Sequence, residues 1–253
     1  MGLQTLFGNK VDIAIDLLRA MQPVEPYWLA FSGGKDSITI HQLCVEGGIN
    51  FVGHYNRAME PPEVVKFIRE EYPNVIIHQP EKTMWQLIEK NRFPPTQTMK
   101  YCCGELKERH GEGLVITGIR AEESANRKNR RQIEICRNKI GKRFIHPILG
   151  WTEHDVWEFI KDRGLKYPSL YDEGRKRIGC VICPLGNTKQ MEEDVKRWPM
   201  LAKAFIRTFD KVIKKRKEDG MDCSWNSGED MMRWWIYRKN DADDEDQGRF
   251  FFE

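Results

Sequence analysis

No stretch of the 253 residues approaches the roughly 20 consecutive apolar residues that a membrane-spanning helix needs, so no membrane crossing is expected. The opening MGLQTLFGNK lacks the apolar core of a secretory signal, which makes the cytoplasm the expected location. Neither GxxxxGK[ST] nor the dinucleotide GxGxxG occurs in its required setting, which argues against an ordinary P-loop NTPase and a dinucleotide-binding enzyme. No internal repeat is apparent. The six histidines, His41, His54, His78, His110, His146 and His154, form no ligand pattern and are assigned no role. Seven cysteines in a cytosolic chain are not expected to pair as disulfides, because that compartment keeps thiols reduced; metal binding or catalysis is the better use for them.

What is present is an ordinary soluble composition, 40% hydrophobic and 31% charged. The net charge of +3 hides an asymmetry. Residues 241–253 hold six acids against Arg249, while residues 1–240 hold 40 bases against 32 acids, a net of +8 that would attract anions. The acidic run DADDEDQ reads most simply as a solvated tail. Along the chain, KVDIAIDLLRAM, residues 36–46, Pro61 to Tyr72 and TMWQLIEKN have helical spacing. YWLAFS, INFVGHYN, NVIIHQ, GLVITGIR and RFIHPI read as strands. That alternation implies an α/β fold, a parallel sheet with helices on both faces. WTEHDVWEFIKDRG is a further helix with Thr152 as N-cap, Asp155 completing a capping box and Gly164 as its stop. TKQMEEDVKRW and PMLAKAFIRTFDKVIKKRKEDG are two more, and the terminal KKRK complements the helix dipole. The chain divides into residues 1–186, carrying the nucleotide-type domain and the cysteines, and 187–253, a helical extension with the acidic tail.

SGGKDS, Ser32 to Ser37, stands where a strand gives way to a helix. In an open parallel sheet such a point presents free helix-start amides and a positive dipole end. Gly33 and Gly34 let the backbone turn and approach a ligand, Lys35 adds a positive charge, and Ser32 and Ser37 add hydroxyls. The loop is an anion cradle sized for a pyrophosphate or sulfate-like group. Asp36 is open to two readings, a magnesium ligand or a helix-start anion. Arg120 and Arg127 fall just past the fourth expected strand, on the ligand side, where a guanidinium fork suits phosphate or sulfate.

Cys102 and Cys103 are adjacent in KYCCGELK, and Cys180 and Cys183 form CxxC in GCVICPLG. Two thiolate pairs on separate loops suit zinc or an iron–sulfur cluster. Adjacent cysteines diverge, which a larger cluster tolerates better than one small ion. Cys44, in an apolar helix, reads as a small hydrophobe, and Cys136 is assigned no role.

SGGKDS resembles the PP-loop of the N-type ATP pyrophosphatases and of the phosphoadenylyl-sulfate (PAPS/APS) reductase family. CC…CxxC resembles the motif of assimilatory adenylyl-sulfate reductases and of the related DNA phosphorothioation enzymes, which carry a 4Fe-4S cluster. WTEHDVWEFIKDRGLKYPSLYDEGRKRIGC is similar to the reductases' W-T-x-x-D-V-W helix and L-Y-D-x-G-x-x-x-I-G-C turn, and TGIRAEESANR to their G-x-R-x-x-x-S-x-x-R stretch. These pieces span residues 28–186. The resemblance implies an adenine-nucleotide alpha hydrolase-like, Rossmann-like sheet with a helical C-terminal extension. It implies phosphate binding by Ser32, Gly33, Gly34, Lys35, Asp36 and Ser37, with Arg120 and Arg127 as anion clamps. Lys35, Asp36 and Arg120 are the catalytic candidates, and Cys102, Cys103, Cys180 and Cys183 the cluster ligands.

The reductases also carry an E-C-G-L-H segment whose cysteine attacks the sulfate sulfur, and nothing here matches it. The late Cys223 has Asp222, Glu229 and Asp230 near it in sequence, which would oppose thiolate formation. The first expectation is therefore an ATP pyrophosphatase or adenylylating enzyme that supports sulfur transfer to a nucleic acid or small molecule, working with ATP, magnesium and a sulfur-donor protein. One alternative is an adenylyl-sulfate or phosphoadenylyl-sulfate reductase served by thioredoxin. Another is a non-catalytic nucleotide- or nucleic-acid-binding module. Residues 120–143 hold nine bases and three acids, and Trp225, Trp234, Trp235 and Tyr237 follow later. This leaves nucleic-acid binding and a solvated, core-packed arrangement both open.

Overall fold

A computed structural model describes residues 4–5, 8–136 and 141–237; the acidic tail and part of the basic run lie outside the described residues. The chain forms two compact units. One holds the chain up to Pro80 together with Leu106–Gly179, and the other holds Glu81–Glu105 together with the chain from Cys180 onward. The segment inserted between the third and fourth parallel strands thus groups with the C-terminal helices.

The first unit opens with a two-rung antiparallel ladder, β1 (Gln4–Thr5) and β2 (Gly8–Asn9). Helix α1 (Lys10–Ala20) buries Val11, Ala14, Ile15 and Leu18, one face at helical spacing, and Asn9 caps it. Then follow β3 (Tyr27–Ala30), α2 (Lys35–Gly47), β4 (Phe51–Asn56), α3 (Pro62–Glu71) and β5 (Ile76–His78). After the insertion come β6 (Leu114–Ile116), a short helix α5 (Ala125–Lys128), β7 (Ile133–Ile135), β8 (Arg143–Ile145) and α6 (Glu153–Asp162). The sheet order is β5-β4-β3-β6-β8-β7, parallel except for β7, which runs antiparallel to β8. This is the α/β class that the alternating pattern implies.

Strand β7 has no counterpart in the sequence reading. It is a three-residue edge strand within a basic run, with Ile133 39% and Ile135 76% exposed, so it carries no buried stripe to betray it. Leu29, Ile38, Ile40, Leu43, Ile116, Ile145 and Phe159 are fully buried, each worth roughly 1.5–3 kcal/mol relative to exposure. Thr152 and Asp155 close the expected capping box on α6, and Gly164 follows at φ +58°.

The sheet order fixes the place for ligands. From β3 the chain winds outward through β4 to β5, and then returns to lay β6 on the other side of β3. The carboxyl ends of β3 and β6 therefore flank a topological switch point, where open α/β sheets bind ligands.

In the second unit, α4 (Met84–Asn91), α7 (Thr188–Arg197), α8 (Pro199–Glu218) and α9 (Gly228–Tyr237) pack together. Trp235 is 1% exposed, lies against Phe205 and Phe209, and donates its indole N–H to Pro95 O at 2.6 Å. Trp225 is also buried and packs edge-on against Trp234. These tryptophans serve a core. Lys215 and Lys211 hold the Glu89 carboxyl below its usual range, through a hydrogen bond from Lys215 first. Within this unit the KKRK end of α8 thus does more than complement a dipole.

An aromatic ladder stands on strands β3, β4 and β5. Trp28 stacks on His54 with centroids 3.4 Å apart, His54 Nδ1 lies 2.9 Å from His78 Nε2, and His110 stacks on His78 at 4.8 Å. Burial first, then the charges of His78 and His110, pushes His54 down to about 4; His78 is lowered likewise. A histidine whose folded value is depressed stabilises the fold above its unfolded value near 6.5 and loses that contribution as pH falls toward 4. Urea unfolding should therefore show the protein weakening between pH 6.5 and 4, by on the order of 2 kcal/mol for His54 alone. His54→Phe keeps the ring and removes the proton, so its stability should fall less over that range; an unchanged profile would refute the assignment.

Candidate functional site

The loop after β3 owes its shape to Gly33, which sits at φ +72° with no room for a side chain: a Cβ there would lie 2.8 Å from Ile68 on α3. The backbone can therefore turn from strand to helix within four residues. Gly34 caps α2 with no side-chain acceptor of its own, so the first-turn amides open onto the loop. Ser37 Oγ donates to Gly34 O at 2.9 Å and accepts from Ser32 N at 3.2 Å, which staples the turn. Ser32 is exposed; Gly33, Gly34, Lys35 and Ser37 are buried.

Lys35 points inward. It is 3% exposed, donates from Nζ to Lys176 O at 3.0 Å, and lies 3.5 Å from the Glu153 carboxylate and 3.8 Å from that of Asp36. The Tyr171 phenol oxygen accepts from Lys35 N at 3.0 Å, so an oxygen already occupies the first amide of α2. Burial, followed by several smaller effects, holds the Tyr171 hydroxyl protonated well above its usual range. Tyr171 and Lys176 lie in a segment quoted for its resemblance and Glu153 in the helix expected after Thr152, and no role attaches to any of the three in the sequence. The base-rich RKR at 175–177 beside the LYDEG turn was the signal that could have marked them.

Asp36 is the hub of the site. Its Oδ1 accepts from Arg120 Nε at 2.6 Å, and Arg120 donates from a terminal nitrogen to Glu122 at 2.8 Å. Arg120 is 3% exposed. Gly118, on the loop after β6, lets the two loops meet: a Cβ there would lie 3.1 Å from Asp36 itself. Arg127 is half-buried and paired with Glu123. Burial lowers its pKa first, and the charges of Arg177, Arg120 and Arg130 act in the same direction against the pull of Asp36. Lys35, Arg120, Arg127, Arg130 and Arg177 therefore form a basic cluster at the switch point, threaded by the carboxylates of Asp36, Glu122, Glu123 and Glu153. Arg130 and Arg177 went unassigned in the sequence reading because neither falls on the strand-end positions that drew attention to Arg120. Beyond this cluster, burial drives His146 down to about 4, and its Nδ1 lies 2.7 Å from Thr117 Oγ1 at the end of β6.

As a magnesium ligand Asp36 fits less well than as an anchor, since Arg120 and Lys35 both stand against it. Among the described residues, His154, Asp155 and Glu158 on α6 bring ligand atoms within 4.8 Å of one another, a grouping the sequence reading did not see. There Asp155 already accepts from Lys10 at 2.5 Å and from Thr152 N at 2.6 Å.

The four expected cysteines fall in the second unit. Cys102, Cys103, Cys180 and Cys183 are all half-buried. A hydrogen bond with Cys103, then burial, then the charges of Cys103, Cys180 and Cys183 raise the Cys102 thiol far above its ordinary range. The two pairs are thus within electrostatic reach of one another, and four thiolates in such proximity call for a cation. The donor set fits a four-sulfur metal centre. The backbone entering it contains a π-helical turn, Cys103–Lys107, and a left-handed Ile182 at φ +53°. Cys44 behaves as a small hydrophobe, buried and pushed up to about 12. Cys223 directs its thiol at Trp225 O, 3.7 Å away.

Removing Arg120 leaves Asp36 and Glu122 without their shared cation. Arg120→Ala should cost about 3–5 kcal/mol in urea unfolding, the range for breaking a buried pair. Asp36→Ala and Arg120→Ala together should cost clearly less than the sum of the two single changes. Additive losses would show that the two side chains do not act as a pair.

A family model described as the phosphoadenosine phosphosulfate reductase domain matches residues 26–186, from the residue before β3 to just past the CxxC turn. An uncharacterised protein of Methanocaldococcus jannaschii is 28% identical over 194 residues, 70% of this chain and 40% of its own length. Adenosine 5'-phosphosulfate reductase 2 of Bacillus subtilis is 27% identical over 168 residues, 62% of this chain and 67% of its own. The chain spans about two fifths of the length of several curated relatives that it matches. Among solved structures, phosphoadenylyl-sulfate reductase from Candida auris, in a phosphate complex, superposes with a TM-score of 0.51 at 18% identity, covering 66% of this chain and 87% of that one, which is a likeness of fold. With its glycine loop and arginines at the switch point of the expected sheet, the chain belongs to the phosphoadenosine phosphosulfate reductase domain family.

Proposed function

We propose that the chain is an ATP pyrophosphatase of this family that adenylylates an acceptor and thereby prepares it to receive sulfur, with Cys102, Cys103, Cys180 and Cys183 holding a 4Fe-4S cluster. The observation that carries the reading is the meeting, at one sheet edge, of the glycine loop after β3 with the arginine segment after β6. Such an edge suits a polyphosphate: helix-start amides and Lys35 take one group, guanidiniums the next.

In the proposed reaction an acceptor oxygen attacks the α-phosphorus of ATP, the bond to the β-phosphate oxygen breaks, and pyrophosphate leaves. Lys35 and the α2 amides stabilise the charge that gathers on that leaving group. Lys35 reaches it by exchanging the Lys176 carbonyl and the Glu153 carboxylate for phosphate oxygens, and Tyr171 yields the Lys35 amide in the same step. Asp36 keeps Arg120 in place, and Arg127 and Arg177 steady the α-phosphate. A sulfur nucleophile then displaces AMP from the acceptor, forming the carbon–sulfur bond as the carbon–oxygen bond breaks. The cluster, when bound, supplies thiolate-ligated iron to that sulfur chemistry.

A second reading, reduction of adenylyl sulfate, is favoured by the similarity to the Bacillus subtilis adenosine 5'-phosphosulfate reductase, two thirds of whose length is matched. One preparation tests both. Protein purified without oxygen should contain about four iron and four sulfide per chain, lost in Cys102→Ser and Cys183→Ser. It should release pyrophosphate from ATP when total RNA or small-molecule acceptors are supplied. Lys35→Ala should lower that rate about 100-fold or more while leaving the iron in place. Sulfite from adenylyl sulfate and thioredoxin, with ATP inert, would replace the first reading by the second.

A further inference from the structure

One buried carboxylate controls the shape of the CxxC turn. Asp194, on α7 and 1% exposed, accepts from the Ile182 amide through Oδ2 at 2.7 Å and from Gln190 Nε2 through Oδ1 at 3.0 Å. Ile182 occupies left-handed backbone at φ +53°, a region that costs a β-branched residue roughly 1–2 kcal/mol and that glycine or asparagine would enter freely. Its side chain is itself 1% exposed, so packing demands an isoleucine where the backbone does not. The next turn of chain is closed as well: Gly186 N donates to Cys183 O at 2.9 Å, and Asn187 accepts from Gln190 N to cap α7. The turn from Cys180 to Cys183 is thus fastened to α7 at Ile182 and closed at Cys183 by the chain that leads into α7, and the fastening at its strained residue is a carboxylate. None of this follows from the family motif, which specifies the two cysteines and not what bends the chain between them.

We propose that Asp194 is a positioning residue of the four-cysteine centre. Its carboxylate stabilises the left-handed turn at Ile182, which presents Cys180 and Cys183 together, and it sets a buried negative charge at the amide one residue before Cys183. The inference rests on the reading that these cysteines hold a metal centre. It also assigns the charge an effect: removing it should make the cluster easier to reduce, because one fewer negative charge opposes the incoming electron.

Three variants test it in oxygen-free preparations. Asp194→Ala should hold iron at least about tenfold more weakly than the wild type, the scale expected when a residue supporting metal ligands is lost. Asp194→Asn retains an oxygen for the Ile182 amide, so it should keep its iron and its helical circular dichroism while its reduction potential moves positive. Ile182→Gly in the Asp194→Ala background should recover part of the iron, since glycine takes the same φ without support. Wild-type iron content and potential in Asp194→Ala would overturn the proposal. So would Asp194→Asn unfolding as fully as Asp194→Ala, because the carboxylate would then be a folding residue only. Should the wild type itself contain no iron, the cluster reading fails separately. Cobalt(II) titration of the reduced protein then reads the positioning role from its thiolate absorption, with wild-type binding at least about tenfold tighter than that of Asp194→Ala expected and equal binding contradicting it.

Discussion

The salt bridge between Asp36 and Arg120 ties together the two loops on which the candidate nucleotide site depends. Asp36 opens α2, after β3; Arg120 follows β6, which lies beside β3 although more than 80 residues separate them in sequence. A parallel sheet brings the two carboxyl ends together, and Gly118 removes the side chain that would hold them apart. Once they meet, a carboxylate at the positive end of a helix is stabilised twice, by the dipole and by the guanidinium. Lys35, next to Asp36 on α2, and Arg127, on the loop of Arg120, then come near it at no further cost in chain topology.

That arrangement has an electrostatic consequence. Four of the bases near the switch point already face a carboxylate or carbonyl: Lys35 has Glu153 and Lys176 O, Arg120 has Asp36 and Glu122, Arg127 has Glu123, and Arg130 has Glu134. Most of the positive charge at the site is thus already partnered, and on the proposed reading an entering polyanion would compete with those partners. On the proposed reading, affinity would be a difference between two sets of hydrogen bonds, and selectivity for a phosphate over a carboxylate would come from the forked geometry of the guanidiniums and the row of helix-start amides.

Much of this was legible in the sequence, and what was not has physical reasons. The Ser32–Ser37 turn announced itself because a glycine pair between an apolar run and a helical pattern has few other uses. Thr152 and Asp155 marked the start of α6 through local hydrogen bonding alone. β7 stayed hidden because a short edge strand with exposed isoleucines has no buried face. The stance of Lys35, turned inward to Lys176 O, was hidden too, since only the fold carries residues 171–177 to the loop. The tryptophans of the C-terminal region were open to two readings, and the burial of Trp225 and Trp235 assigns them to a core. The cysteine motif marked four residues, and all four fall in the second unit. That a left-handed isoleucine and a buried aspartate shape one of its turns required coordinates.

The most direct test of the account is hydrogen–deuterium exchange with and without saturating inorganic pyrophosphate. The account predicts that the ligand slows exchange at the amides of residues 32–37 and, through the shared salt bridge, at residues 118–127, with Lys35→Ala abolishing both effects. Pyrophosphate that bound while leaving these two segments unchanged, or that did not bind at all, would contradict the claim that the switch point between β3 and β6 is an anion site.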